Sequence, residues 1–129
     1  MIRDIKFRVW VKGQKEMVEV IELNFHQATI ASIYDDYASG EQEWDLEDFE
    51  NVELMQSTGS KDKNGTEIYE GDILNHFNKV YGVIRLSTGT YLGRTSTIGE
   101  QDIVLSWTSS DGELIGNIYE NPELLQEGK

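Results

Sequence analysis

Glu67, Glu70 and Asp72 fall within six residues of one another. Paired carboxylates so close can serve as acid, base or nucleophile in hydrolysis. The same run, Glu67-Ile68-Tyr69-Glu70-Gly71-Asp72, also reads as a tight entry into a strand, which is the preferred reading. Ser60-x-Asp62-x-Asn64-Gly65 echoes a calcium loop. It opens on Ser, and the twelfth position, where a bidentate acid belongs, falls on Gly71; a turn is expected instead. His26 and His76 are the only histidines, fifty residues apart, and nothing in that spacing makes them converge on a metal. The chain has no cysteine, which excludes thiolate catalysis, disulfides and cysteine-ligated zinc. No phosphate-binding glycine loop, nucleophile elbow or H-E-x-x-H run occurs. The expectation is a non-enzymatic protein with no cofactor, no metal and no catalytic residues.

The charged residues point in two directions. The formal charge is −13 over 129 residues, unevenly laid out. Residues 1–15 carry a net +4, residues 16–60 hold twelve acids and no Lys or Arg, and residues 61–129 carry −5. Such a chain repels phosphate backbones unless its few cations gather on one face. One alternative is therefore nucleic-acid binding through Lys79, Arg85 and Arg94, with Tyr81 and Tyr91 as stacking rings. A second alternative uses the acidic block from Asp35 to Glu53 as a DNA-mimic inhibitor surface. The preferred reading of that block is a solvated face, and it is the first choice for a contact surface with another protein.

The elements that must position these residues are mostly strands. Ile5, Phe7, Val9 and Val11 alternate with Lys6, Arg8 and Trp10, a period of two. Lys12-Gly13-Gln14-Lys15 is a turn with Gly13 free to take positive φ. Met17 to Leu23 returns as a second strand, and basic residues then face Glu across the hairpin. Ala28 to Tyr34 favours a strand over a helix, and Asp35 to Gly40 a loop. Asp45 is a candidate N-cap, with Leu46, Phe49 and Val52 on one face of a short helix; Asn51 to Gln56 is alternatively the start of a strand. Ser57-Thr58-Gly59-Ser60 marks the seam between two halves, and Asn64-Gly65 is the strongest turn signal. Glu67 to Leu74, Val80 to Leu86, Thr90 to Arg94, Asp102 to Trp107 and Leu114 to Tyr119 are strand candidates with glycine-marked turns. Asn121-Pro122 opens a terminal helical turn.

The fold class expected is α+β, mostly β. Residues 1–60 form an N-terminal hairpin-based subdomain with a short helix, and residues 61–129 a small SH3-like β-barrel. The boundary is soft, and one compact unit is equally compatible with it. No apolar run approaches the roughly 20 residues that span a bilayer, and Met1-Ile2-Arg3-Asp4-Ile5 lacks an apolar leader. A cytoplasmic protein is expected, with no membrane partner.

Long segments of the chain resemble the YopX family of phage and prophage proteins. Leu54-Met55-Gln56-Ser57-Thr58-Gly59-Ser60-Lys61-Asp62-Lys63-Asn64-Gly65-Thr66-Glu67-Ile68-Tyr69-Glu70-Gly71-Asp72-Ile73 is similar to its central signature. Ile115-Gly116-Asn117-Ile118-Tyr119-Glu120-Asn121-Pro122-Glu123-Leu124-Leu125 is similar to its C-terminal one. The opening Ile5-Lys6-Phe7-Arg8-Val9-Trp10, with Met17 after it, matches its start. Departures are small: Ser57 stands where the family often has Tyr, Ser60 where it has Leu, and Val11 where it has an acid. The resemblance implies a phage or prophage accessory protein in a bacterial host, a β-rich, barrel-like C-terminal part and assembly with itself. It supplies no reaction. From the residues, Gly59 and Gly65 suit left-handed turns, and Gly71 and Gly116 suit bulges or close approach. The candidate contact patch is Tyr69, Glu70 and Asp72 brought together with Asn117, Tyr119 and Asn121. The partners expected are the protein itself and a host or phage protein; nucleic acid is disfavoured.

Overall fold

A computed structural model describes residues 5–36, 38–95, 103–105 and 111–125. The chain is mostly β and divides into two compact units, Met1–Gln56 and Ser57–Lys129.

In the first unit, β1 (Phe7–Val11) and β2 (Glu16–Glu19) pair antiparallel, with Arg8 opposite Glu19 and Trp10 opposite Met17. The hairpin and the pairing of Arg8 with Glu19 follow the expected pattern, but the return strand expected over Met17 to Leu23 ends at Glu19, and Glu22 to Asn24 join another sheet. The turn also departs from expectation: Lys15 takes the left-handed conformation, φ 55°, and Gly13 does not. β1 also pairs with residues 52–56, the first half of β6 (Val52–Lys61). Lys12 reaches Glu53 at 3.3 Å. Val9 and Val11 point inward at period two and pack with Ile30 and Val52, with Val18, Val20, Leu23 and Phe49 around them. Full burial of each such aliphatic side chain contributes roughly 1.5–3 kcal/mol.

A second sheet of this unit has the order β3-β4-β5: β3 (Glu22–Asn24), β4 (Thr29–Asp36) and β5 (Glu41–Asp48). Here two expectations are corrected. The loop from Asp35 to Gly40 begins later, because β4 continues through Asp36. The helix capped by Asp45 is strand β5, paired with β4 over eight positions from Thr29↔Asp48 to Asp36↔Glu41. Only Phe49–Asn51 turns, as a 3₁₀ segment whose N-cap is Asp48, without a side-chain cap bond. An eight-residue ladder supplies more backbone hydrogen bonds than a two-turn helix with weak caps.

The second unit begins within β6, whose residues Ser57 to Lys61 pair with β7 (Glu67–Tyr69). The proposed seam is thus strand, and Gly59 (φ 81°) sits where the register shifts, in a bulge rather than a turn. A curled, half-barrel antiparallel sheet follows in the order β11-β10-β9-β8-β12. Its strands are β8 (Asp72–His76), β9 (Lys79–Arg85), β10 (Tyr91–Arg94), β11 (Ile103–Val104) and β12 (Glu113–Asn117). The single strand expected over Glu67 to Leu74 is two, because Gly71 (φ 89°) breaks it. Asp102 and Trp107, at the ends of another expected strand, lie outside the described residues. Ile68, Leu74, Val83 and Leu105 form the core, with Tyr91 and Leu114 against it. Pro122–Leu125 closes the described chain as a 3₁₀ turn. None of the described helical segments is long and apolar enough to cross a membrane.

Candidate functional site

The two signature segments meet at the entry to β8. Asn117 on β12 stands opposite Asp72 on β8, and Ile118 N–H donates to Gly71 carbonyl oxygen at 2.8 Å. Tyr69, Glu70, Asp72, Asn117, Tyr119 and Asn121 are therefore neighbours. Their burial divides them. Asp72 is 1% exposed and Asn117 is buried, while Tyr69, Glu70, Tyr119 and Asn121 are half-buried.

The buried members brace the backbone. Asp72 Oδ2 accepts the Tyr69 N–H at 2.8 Å, closing the turn that Gly71 makes. Asn117 Oδ1 accepts N–H groups from Tyr119 (3.0 Å) and Glu120 (2.8 Å), and its Nδ2 donates to Glu120 Oε1 at 2.6 Å. Contrary to expectation, Asn121 does not cap the terminal turn with its side chain. Its main-chain oxygen accepts the Leu124 N–H, and its Oδ1 turns back to accept the Asn117 N–H. That return occupies the space beside Gly116, where any Cβ would collide with the Asn121 side chain. The β12 register slips at the same place, so Gly116 is both bulge and close approach.

Two of the three carboxylates weighed for hydrolysis, Glu67 and Asp72, are committed elsewhere. Ser57 Oγ donates to Glu67 Oε2, and Asp72 holds Tyr69. Asp62, from the calcium-like run, is the centre of a loop clamp. Its Oδ1 accepts Asn64 N–H and Thr66 N–H, and its Oδ2 accepts Leu114 N–H, each at 2.9 Å. Burial pushes this carboxyl up, but the Leu114, Thr66 and Asn64 donors, with Lys63 beside them, outweigh it and hold it below the ordinary value. A charged acceptor surrounded by main-chain donors explains the run without an ion.

The nucleic-acid candidates separate. Lys79, Arg85 and Arg94 are exposed and Tyr91 is half-buried, opposite Arg85. Tyr81 is 5% exposed and its face is covered, with Gly93 packed on it. It is a core residue, and a base has no access to its ring. His76 stacks edge-on with Phe77 at 4.4 Å, beside the turn that precedes Lys79.

The acidic block holds what residue-level reading missed. β5 presents Trp44 (60% exposed) and Leu46 (63% exposed) on one face, with Ile33 of β4 opposite Trp44. Its other face carries Glu43, Asp45 and Glu47. A cleft of ≈ 380 Å³ is lined by Val11, Val18, Ser32 and Ile33, together with the acids Glu16, Asp45 and Glu47. The alternation of acids at 41, 43, 45 and 47 was the available signal.

The comparisons agree with this architecture. The profile of a family described as "YopX protein" matches residues 6–126. A crystal structure of protein EF1440 from Enterococcus faecalis is similar, at 30% identity and a TM-score of 0.67, covering 97% of this chain and 100% of that one. No curated protein matches the chain.

Proposed function

The chain belongs to the YopX protein family, and from that premise we propose that it is a non-enzymatic, self-assembling accessory protein that binds a host or phage protein in the bacterial cytoplasm. The observation that carries this reading is the β4–β5 hairpin. Monomeric proteins seldom leave a Trp and a Leu on one strand more than half exposed, beside a third apolar residue, unless that face meets something. The acids around them favour a protein over a phosphate backbone. The signature residues Tyr69, Glu70 and Tyr119 form a second, smaller surface, held rigid by Asp72, Asn117 and Asn121. On this reading the curled sheet of the second unit is an SH3-like barrel that carries the signature patch.

The test is molar mass by size-exclusion chromatography with light scattering at low and high salt, together with affinity capture from a host extract. A mass of several copies and a partner lost on Trp44→Ser or Tyr119→Ala is the expected outcome. A monomer at every salt concentration with no captured partner overturns the reading.

A further inference from the structure

We propose that β5 is a docking edge for an extended segment of a partner protein in which Lys or Arg alternates with apolar residues, added as a fourth strand to the sheet β3-β4-β5. The proposal rests on the protein-binding reading above and names the chemistry of the partner.

β5 is the outer strand of its sheet, and among the described residues β4 is the one strand paired with it. Its eight residues form an edge of about 27 Å at the usual rise. An added strand takes its affinity from main-chain hydrogen bonds and its specificity from alternate side chains. The two faces of β5 ask for different side chains. On the Trp44–Leu46 face, 60% and 63% exposed, apolar residues of the incoming strand lie beside the Trp44 ring and Leu46. The cleft lined by Asp45 and Glu47 of the other face offers Val11 and Val18 for the methylene stem of a Lys or Arg, and those acids with Glu16 for its charged head. Ser32, 6% exposed, lines the same cleft. Glu16, Asp45 and Glu47 line the cleft with no Lys or Arg among its lining residues.

A second copy fits this edge poorly. Two β5 strands side by side would bring five acids against five, with no Lys or Arg on either. Acids on an edge strand also guard against aggregation. A guard alone does not account for Trp44, which makes an edge more adhesive.

The test uses the full chain, labelled with nitrogen-15 and titrated with a nine-residue synthetic peptide of alternating lysine and valine. A second peptide of the same composition, with the lysines in one block, carries equal charge without the alternation. The expected result is saturable shift of β4 and β5 amides by the alternating peptide and binding about tenfold weaker for the blocked one. Asp45→Lys with Glu47→Lys should weaken binding by at least about tenfold. Trp44→Ser, at an exposed position that leaves the core intact, should weaken it at low and high salt alike. Equal binding of both peptides, or shifts outside the sheet β3-β4-β5, overturns the proposal. If the charge-reversed protein still captures the partner taken by the unaltered chain, protein binding stands and the β5 site falls. If light scattering and capture also fail, both fall.

Discussion

Asp62 ties its own loop to strand β12 with one carboxylate, and its removal has a calculable consequence. Asp62→Ala leaves the N–H groups of Asn64, Thr66 and Leu114 without their acceptor. The expected loss is about 3 kcal/mol, measured by urea unfolding at pH 7. Asp62→Asn keeps an oxygen for two donors but turns an NH₂ toward the third, and should lose somewhat less. The folded carboxyl lies below its unfolded value. Its contribution is therefore complete above the unfolded value of about 4 and is lost as acid carries the pH down through the folded value. The gap in stability between the unaltered chain and Asp62→Asn should narrow on acidification from pH 6 to pH 2. A constant gap would mean that the charge of Asp62 does not matter. Gly116 offers a second test. Gly116→Ala drives Cβ into Asn121 and should cost about 2 kcal/mol. Combined with Asn121→Ala, the cost should fall short of the sum by about 0.5 kcal/mol or more, because truncating Asn121 removes the amide atoms that the new Cβ strikes.

Among the elements, the legible ones are those whose side-chain period and turn chemistry agree. Val9 and Val11 alternate inward and Asn64-Gly65 turns with φ 84° at Gly65, as their residue types require. β5 misled because Leu46, Phe49 and Val52 also fit a helical face. The strict alternation of Glu41, Glu43, Asp45 and Glu47 with Gln42, Trp44, Leu46 and Asp48 was the truer signal, but it places the apolar Trp44 and Leu46 on a face exposed to water. Asp62 was read only as a turn residue, since its third donor, Leu114, is 52 positions away. The turn at Phe77-Asn78 carries no glycine, yet both residues take positive φ, 50° and 66°, as a two-residue hairpin demands. Such positions invite repair. Ala28 is held at φ 56° between β3 and β4. Ala28→Gly should raise stability by about 0.5–1 kcal/mol, since relief of the left-handed strain exceeds the added freedom of the unfolded chain. Gly65→Ala should do the opposite by a similar amount. Thermal melts of the two variants test both signs.

At the scale of the whole molecule, the net charge of −13 sets the response to salt. Copies of one chain with that charge repel each other at a distance, so self-assembly must work through apolar and main-chain contacts against an electrostatic barrier. Screening lowers the barrier, with a Debye length of about 10 Å at 0.1 M and 3 Å at 1 M. Assembly of the chain with itself should therefore strengthen as salt is raised. A cationic partner on β5 is attracted by the same charge, and its association should slow and weaken as salt is raised. The two salt slopes have opposite signs, which separates the two kinds of contact without knowledge of the partner. Light scattering from 0.05 to 0.5 M salt gives the first slope, and titration with the alternating peptide gives the second. Asp45→Lys with Glu47→Lys replaces two negative charges on one strand by two positive ones, so it should flatten the second slope. It should also ease the first by lowering the repulsion. If both slopes fall with salt, copies meet through opposite charges. The basic β1–β2 hairpin of one copy on the acidic β5 of another would then be the contact to examine.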